Sequence, residues 1–99
     1  MKSVKQAIAS LKKQFPNIHG IKPAAEWGGP EYAKGIHLGD VAEGGEIDGM
    51  SAAYYNAGFE DPQEKIWVMG IHKKLRAALE KLGYYGEFYD AGTLIAWPN

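Results

Sequence analysis

Apolar and polar positions follow a helical period in two parts of the chain. In residues 3–15 the apolar side chains fall on one face, at about 100° per residue, and most of the lysines fall on the other. Pro16 ends this pattern because it lacks an amide hydrogen and disfavours helical backbone at the preceding residue. In residues 71–82 a second apolar stripe faces away from charged positions, and Gly83 follows as a left-handed C-terminal cap. We therefore predict two amphipathic helices.

The segment between these helices is too rich in glycine to sustain a helical period. Residues 17–61 predict short strands and turns instead. Two strands are expected, at residues 35–41 and 46–55, with a hairpin turn at residues 43–45 that supplies positive φ angles.

Residues 61–69 admit two interpretations. The sequence Asp61-Pro62-Gln63-Glu64 is typical of a helix start, with an acidic cap, a proline at the first position and a glutamate three residues after the cap. The run at 66–69, however, is apolar on all sides and stops at Gly70. We expect a buried strand after a turn, because a surface helix would need a polar face.

The end of the chain has the pattern of a β-hairpin. Residues 84–89 and 93–97 are rich in aromatic and β-prone side chains, and Asp90-Ala91-Gly92 between them has the composition of a short loop. With 99 residues and 45% hydrophobic composition, we expect one domain spanning 1–99. The expected fold is α+β, in the order helix, strands, helix, hairpin. A small antiparallel or mixed sheet of four or five strands would pack against the two helices.

Composition excludes several classes of protein. The absence of cysteine rules out a disulfide framework, a thiolate nucleophile and a zinc ribbon. The N-terminal segment has no apolar core of a secretory signal, and no stretch approaches the roughly 20 apolar residues of a membrane span, so we expect a cytoplasmic protein with no membrane contact.

Charge is unevenly distributed within a net charge of −1. Residues 26–64 carry nine acidic side chains against one lysine, whereas residues 1–25 carry five lysines and no acid. The acidic segment could contact a basic surface on a partner, because clustered charge accelerates association. Solvated loops that face the lysine-bearing helices would have the same composition. The candidate contact residues are Asp40, Glu43, Glu46 and Asp48.

Motifs for metal binding and catalysis are weak. A calcium loop starting at Asp40 fails, because alanine and glycine stand at the third and fifth positions. His37 and Asp40, three residues apart, are the best pair for a metal or small-molecule site, and they define the alternative of a small enzyme or ligand binder. Ser51 lacks the flanking glycines of a nucleophile elbow. We expect no cofactor, no metal and no catalytic residue.

Lys73 and Lys74 open the second helix, and the order helix, strands, helix resembles that of the double-stranded-RNA-binding family. The resemblance implies that these lysines would contact phosphates across a groove of the duplex. The acidic middle and the hairpin after the second helix depart from the family. A double-stranded RNA binder is therefore kept as an alternative, although nucleic acid is not the expected partner.

The terminal hairpin has apolar side chains on both faces. Strand alternation places Tyr85 and Tyr89 on one face of the first strand, and Ile95 and Trp97 on one face of the second. Two helices can cover only one face of the sheet, so the other would be an open binding surface or would be closed by Trp27, Tyr32 and the loop around them.

These observations predict a small non-catalytic protein-binding module that contacts a protein partner or a second copy of itself. The expected contact residues are Tyr85, Tyr89, Ile95 and Trp97, together with the four acidic residues named above. The chain also has the general composition of small accessory proteins of bacteria and their phages. A further alternative is such a protein that blocks the basic nucleic-acid-binding groove of its partner.

Overall fold

A computed structural model describes residues 2–99 and has helices and strands mixed along the chain, which confirms the α+β fold. The helices are α1 (Val4–Gln14), α2 (Ala24–Gly28), α3 (Ala57–Glu60) and α4 (Lys73–Leu82). The strands are β1 (Ile21–Pro23), β2 (Ile36–Leu38), β3 (Glu46–Ile47), β4 (Met50–Ser51), β5 (Trp67–Val68), β6 (Ile71–His72), β7 (Tyr84–Asp90) and β8 (Thr93–Pro98). Within residues 2–99, no helix has the length and apolar character needed to cross a membrane.

The main sheet is antiparallel and has four strands in the order β1-β2-β8-β7. The predicted C-terminal hairpin is confirmed, and its second strand lies in the middle of the sheet, between β2 and β7. Ile95 pairs with His37 of β2 on one side and with Glu87 of β7 on the other. The hairpin is therefore a central part of the fold rather than an addition to it.

Helices α1 and α4 cover one face of this sheet and form the main core, as the apolar stripes predict. Side chains from both helices are buried there against Leu38, Leu94 and Ala96, each of which is fully buried. Ser3 caps α1, since its hydroxyl accepts from the amide of Gln6 while the Gln6 side chain accepts from the Ser3 amide. Gly83 ends α4 in the left-handed conformation expected from its position.

The prediction of one strand at residues 46–55 is wrong. Asp48 and Gly49 both have positive φ angles, 54° and 78°, and form a tight turn that folds the segment into the two-residue strands β3 and β4. The hairpin turn expected at residues 43–45 is also wrong, because β2 pairs with β1 and β8, not with β3. Strand β2 ends earlier than predicted, since Gly39 turns the chain at a φ of 65°.

At residues 61–69 the strand interpretation is confirmed for Trp67 and Val68 but not for Ile66 and Met69. The carboxylate of Asp61 accepts three backbone hydrogen bonds, from Lys65, Ile66 and Trp67, at 2.8–2.9 Å. These bonds hold an irregular loop where a helix could have started. Trp67 is buried in β5, but Met69 begins the turn to β6 with a φ of 52° and is 79% exposed.

Candidate binding groove on the outer face of the sheet

The face of the sheet opposite the two long helices, called the outer face here, is partly covered by a second aromatic layer. Trp27 of α2 lies over this face, with its ring 5.4 Å from His37 and 4.9 Å from Tyr89. Tyr32, in a short 3₁₀ turn at Pro30–Tyr32, packs 5.3 Å from Trp27 and 5.8 Å from Trp97. Residues 24–34 thus close part of the outer face, in agreement with one of the two interpretations of the sequence.

Two glycines allow these rings to approach the backbone. A Cβ atom on Gly28 would stand 2.7 Å from the ring of Tyr32, and one on Gly35 would stand 3.1 Å from the ring of Trp97. Both separations are shorter than ordinary carbon–carbon contacts, which lie at about 3.5–4.0 Å. The absence of side chains at these two positions therefore lets Tyr32 pack against the end of α2 and Trp97 pack against the residue that precedes β2.

Beside this layer, the outer face keeps two adjoining depressions that share Glu87 and Trp97. We call them together the outer-face groove. The larger depression, of about 440 Å³, runs between the 3₁₀ turn and the hairpin, and Tyr85 forms part of its wall. The smaller one, of about 170 Å³, is called the hollow. The lining of the larger depression is Pro30, Glu31, Ala33, Lys34, Tyr85, Glu87, Trp97 and Pro98. The lining of the hollow is Tyr32, Glu87, Tyr89, Ile95 and Trp97.

The structure brings together three of the four predicted hairpin contact residues at an accessible surface. Tyr85 and Tyr89 are 45% and 60% exposed, and Trp97 is half-buried between them and Tyr32. The expectation that Ile95 offers exposed surface needs correction. Ile95 is 1% exposed because the rings that line the hollow close over its side chain.

The four acidic candidates meet different surroundings, and two of them have basic partners within the chain. Asp40 accepts from the amide of His19 at 3.0 Å, and its other oxygen lies 3.5 Å from the His19 ring. Asp48 pairs with Lys74, whose hydrogen bond lowers the pKa of the Asp48 carboxyl. Glu43 lies against Gly92 of the hairpin loop, and Glu46 is exposed.

His37 and Asp40 are engaged separately. The Nδ1 atom of His37 accepts from the amide of Gly39 at 3.0 Å, while Asp40 binds His19. Burial, followed by the positive charge of Lys22, lowers the pKa of His37 and favours the neutral ring. Among residues 2–99 there is no group of three or more histidine, aspartate or glutamate side chains placed to hold a metal ion.

The lysines of the RNA-binding alternative have acidic neighbours. Lys74 forms the ion pair with Asp48, and the charge of Lys73 contributes to the lowered pKa of Asp61, after the backbone hydrogen bonds to that carboxylate. The sheet also differs from what the resemblance implies, because strand β8, which follows the second long helix, lies at its centre.

Sequence reasoning missed a second exposed apolar surface, formed around α3 and the turn after β5. Phe59 is 88% exposed, Met69 79% and Tyr55 57%, and the Tyr55 ring packs 5.3 Å from that of Phe88. A cavity of about 320 Å³ joins Tyr55, Met69 and Phe88. Neither periodicity nor a motif marks this set, since its members come from a short helix, two turns and a strand that are apart in the chain.

Chemically, the lining of the outer-face groove offers aromatic ring faces, two carboxylates and one ammonium group. This is the mixture found where side chains of a partner are bound: large apolar area with a few charged groups that fix orientation. Comparisons with protein-family models, curated proteins and solved structures find no match for the chain.

Proposed function

We propose that this protein is a cytoplasmic, non-catalytic protein-binding module that binds its partner in the outer-face groove. The observation that carries the proposal is the pair Tyr85 and Tyr89, which stand 45% and 60% exposed beside the half-buried Trp97 on one face of a hairpin. Tyrosine and tryptophan bury a large area for few frozen rotations, and they dominate the binding energy of many interfaces.

The groove is preorganised by the sheet beneath it. Strands β7 and β8 are paired along nearly their whole length, and β8 is held on its other side by β2. Trp27 packs against Tyr89 and Tyr32, and Tyr32 packs against Trp97. A binding site built on paired strands loses little conformational entropy when a ligand arrives, so more of the contact energy remains for affinity.

The occupant that fits best is an extended segment of a protein partner that carries a basic side chain. Strand β7, which contributes Tyr85 and Glu87 to the groove, is an edge of the main sheet, so an extended peptide could also pair with its free backbone. The lining contains Glu31 and Glu87 against Lys34 alone, which favours a segment of opposite charge.

Photo-crosslinking tests the proposal inside cells. A benzoylphenylalanine in place of Tyr85 is expected to capture the partner, whereas the same group in place of Lys13, exposed on α1, is expected not to. The captured protein is then purified, and its affinity is measured by calorimetry. Because an exposed aromatic at an interface contributes roughly 1–4 kcal/mol, Tyr89→Lys should weaken binding at least about fivefold.

Two variants separate this surface from its competitors. Phe59→Lys alters the second apolar surface and should leave the affinity unchanged. Capture at Phe59 but not at Tyr85, or equal affinity for Tyr89→Lys and the unsubstituted protein, would contradict the proposal. Sedimentation equilibrium tests for self-association. If the protein is a dimer and Tyr89→Lys dissociates it, the partner is a second copy of the chain.

A further inference from the structure

The hollow of the outer-face groove has the walls of a cation-binding site. Three aromatic side chains line it, Tyr32, Tyr89 and Trp97, and Ile95 lies buried at its floor. Glu87 is directly opposite Ile95 in the pairing of β7 with β8, so its side chain leaves the sheet on the same face. One carboxylate therefore stands at the edge of an aromatic pocket.

The charge of this carboxylate is not used within the described chain. Among residues 2–99, Glu87 makes no ion pair and accepts no hydrogen bond, whereas Asp40, Asp48, Asp61 and Glu64 each have a partner. An exposed carboxylate is common on protein surfaces, but this one lies among three rings. Lys34 lines the adjoining depression, not the hollow itself.

The rings are held in place from outside the hollow. Trp27 packs edge-on against both Tyr32 and Tyr89, at interplanar angles of 79° and 83°. Tyr32 and Trp97 lie 5.8 Å apart with an interplanar angle of 32°. Ring faces carry negative charge density and attract cations within about 6 Å of their centroids, and a nearby carboxylate adds to that attraction.

We propose that the hollow binds a cationic head group, the ammonium or guanidinium of a lysine or arginine side chain on the protein partner. The inference rests on the proposed function, since it names the side chain of the bound segment that the groove selects. A volume of about 170 Å³ leaves room for a head group of several heavy atoms. Ring faces and Glu87 would favour the positive charge, while the aliphatic stem would lie along the apolar ring surfaces nearer the opening.

The test is an NMR titration of the isolated protein with small probes: N-acetyl-lysine methylamide, N-acetyl-arginine methylamide, tetramethylammonium and N-acetyl-norleucine methylamide, the neutral analogue of the lysine probe. The indole signal of Trp97 should shift with both amino-acid probes. The indole of Trp67, buried and donating to the Ser51 carbonyl at 2.8 Å, serves as the internal control and should not shift. The neutral analogue should bind about 2- to 30-fold more weakly than the lysine probe, which is the range expected when a cation–π attraction is lost.

Glu87→Gln keeps the shape of the hollow and removes its charge. It should weaken binding of both amino-acid probes at least about threefold and leave the neutral analogue unaffected. Glu46→Gln, at an exposed carboxylate on β3, is the matched control and should change nothing. Equal binding of the neutral analogue, an unaffected Glu87→Gln variant, or equal shifts of the Trp67 and Trp97 indoles would overturn the assignment.

Other outcomes distinguish a side-chain cation from a free amine, and distinguish this inference from the proposed function. Binding of tetramethylammonium without either amino-acid probe would overturn the side-chain assignment and indicate a free quaternary amine. If the probes bind as expected but Tyr85 captures no protein in cells, the cation site stands and the protein-binding function fails. If a partner is captured and its affinity does not depend on Glu87, the function stands and this inference fails.

Discussion

Replacing Ile95 tests whether the outer face is a second core or an open surface. Ile95→Ala removes three carbon atoms from a side chain that is 1% exposed. At about 0.8 kcal/mol for each buried carbon, the lost transfer energy is roughly 2.4 kcal/mol, and the remaining cavity raises the expected cost to about 2–5 kcal/mol. Tyr85→Ala, on the same face and 45% exposed, should cost about 1 kcal/mol or less.

Urea denaturation monitored by tryptophan fluorescence measures both variants. With a slope of roughly 2 kcal/mol per molar urea, Ile95→Ala should lower the midpoint by about 1–2.5 M, while Tyr85→Ala should move it by about 0.5 M or less. Ile95→Val, which removes one carbon, should fall between them at about 0.5–1.5 kcal/mol. Equal and small losses for Ile95→Ala and Tyr85→Ala would refute the reasoning, because residues 24–34 would then not cover the sheet in solution.

Three further predictions follow from the fold. Leu79→Ala, at 1% exposure on the apolar stripe of α4, should cost roughly 2–5 kcal/mol in chemical denaturation, whereas Lys81→Ala on the exposed side should cost less than about 0.5 kcal/mol; similar losses would mean that the helix is oriented wrongly. Burial lowers the pKa of His72, whose Nδ1 caps α4 by accepting from the Lys74 amide at 3.1 Å. The unfolded state therefore binds the proton first, and stability should be full above about pH 6.5 and fall as the pH drops through the folded pKa. His72→Asn provides a cap that does not titrate, and it should reduce the dependence of Tm on pH between pH 5 and 7.5. An unchanged dependence would contradict this role of His72. Duplex RNA should not bind at about 50 mM salt; a complex that salt weakens and that Lys73→Glu abolishes would restore the RNA-binding alternative.

Local patterns determine the elements whose contacts are close in sequence. The stripes of α1 and α4 and the hairpin at residues 84–97 are predictable because one buried face repeats at a helical or strand period. The turn at Asp48-Gly49 is also present in the sequence as a strong hairpin signal, but the prediction of a single strand at residues 46–55 passes over it. The turn at Asp48-Gly49 could therefore have been predicted. The loop held by Asp61 could not, because it depends on hydrogen bonds to backbone amides, which no sequence pattern indicates.

The candidate site is predictable only in part. Strand alternation places Tyr85 and Tyr89 on one face of β7, and Ile95 and Trp97 on one face of β8, but only the hairpin register shows that the two pairs share a face. Alternation also cannot show that Ile95 is buried, because burial depends on whether another segment covers the face. Tyr32 enters the sequence argument only as part of a loop that could close the face.

By itself, the sequence determined the two amphipathic helices, the terminal hairpin and which side chains within each hairpin strand share a face, because each of these follows from repeats within a few residues. Only the tertiary structure decided that β8 inserts between β2 and β7, and that residues 24–34 cross the outer face. These are contacts between segments about 60 residues apart in the chain, such as Ile36 with Ala96. They form when the buried area gained outweighs the entropy of closing the loop between them, and that balance depends on the whole set of packed surfaces rather than on any local period.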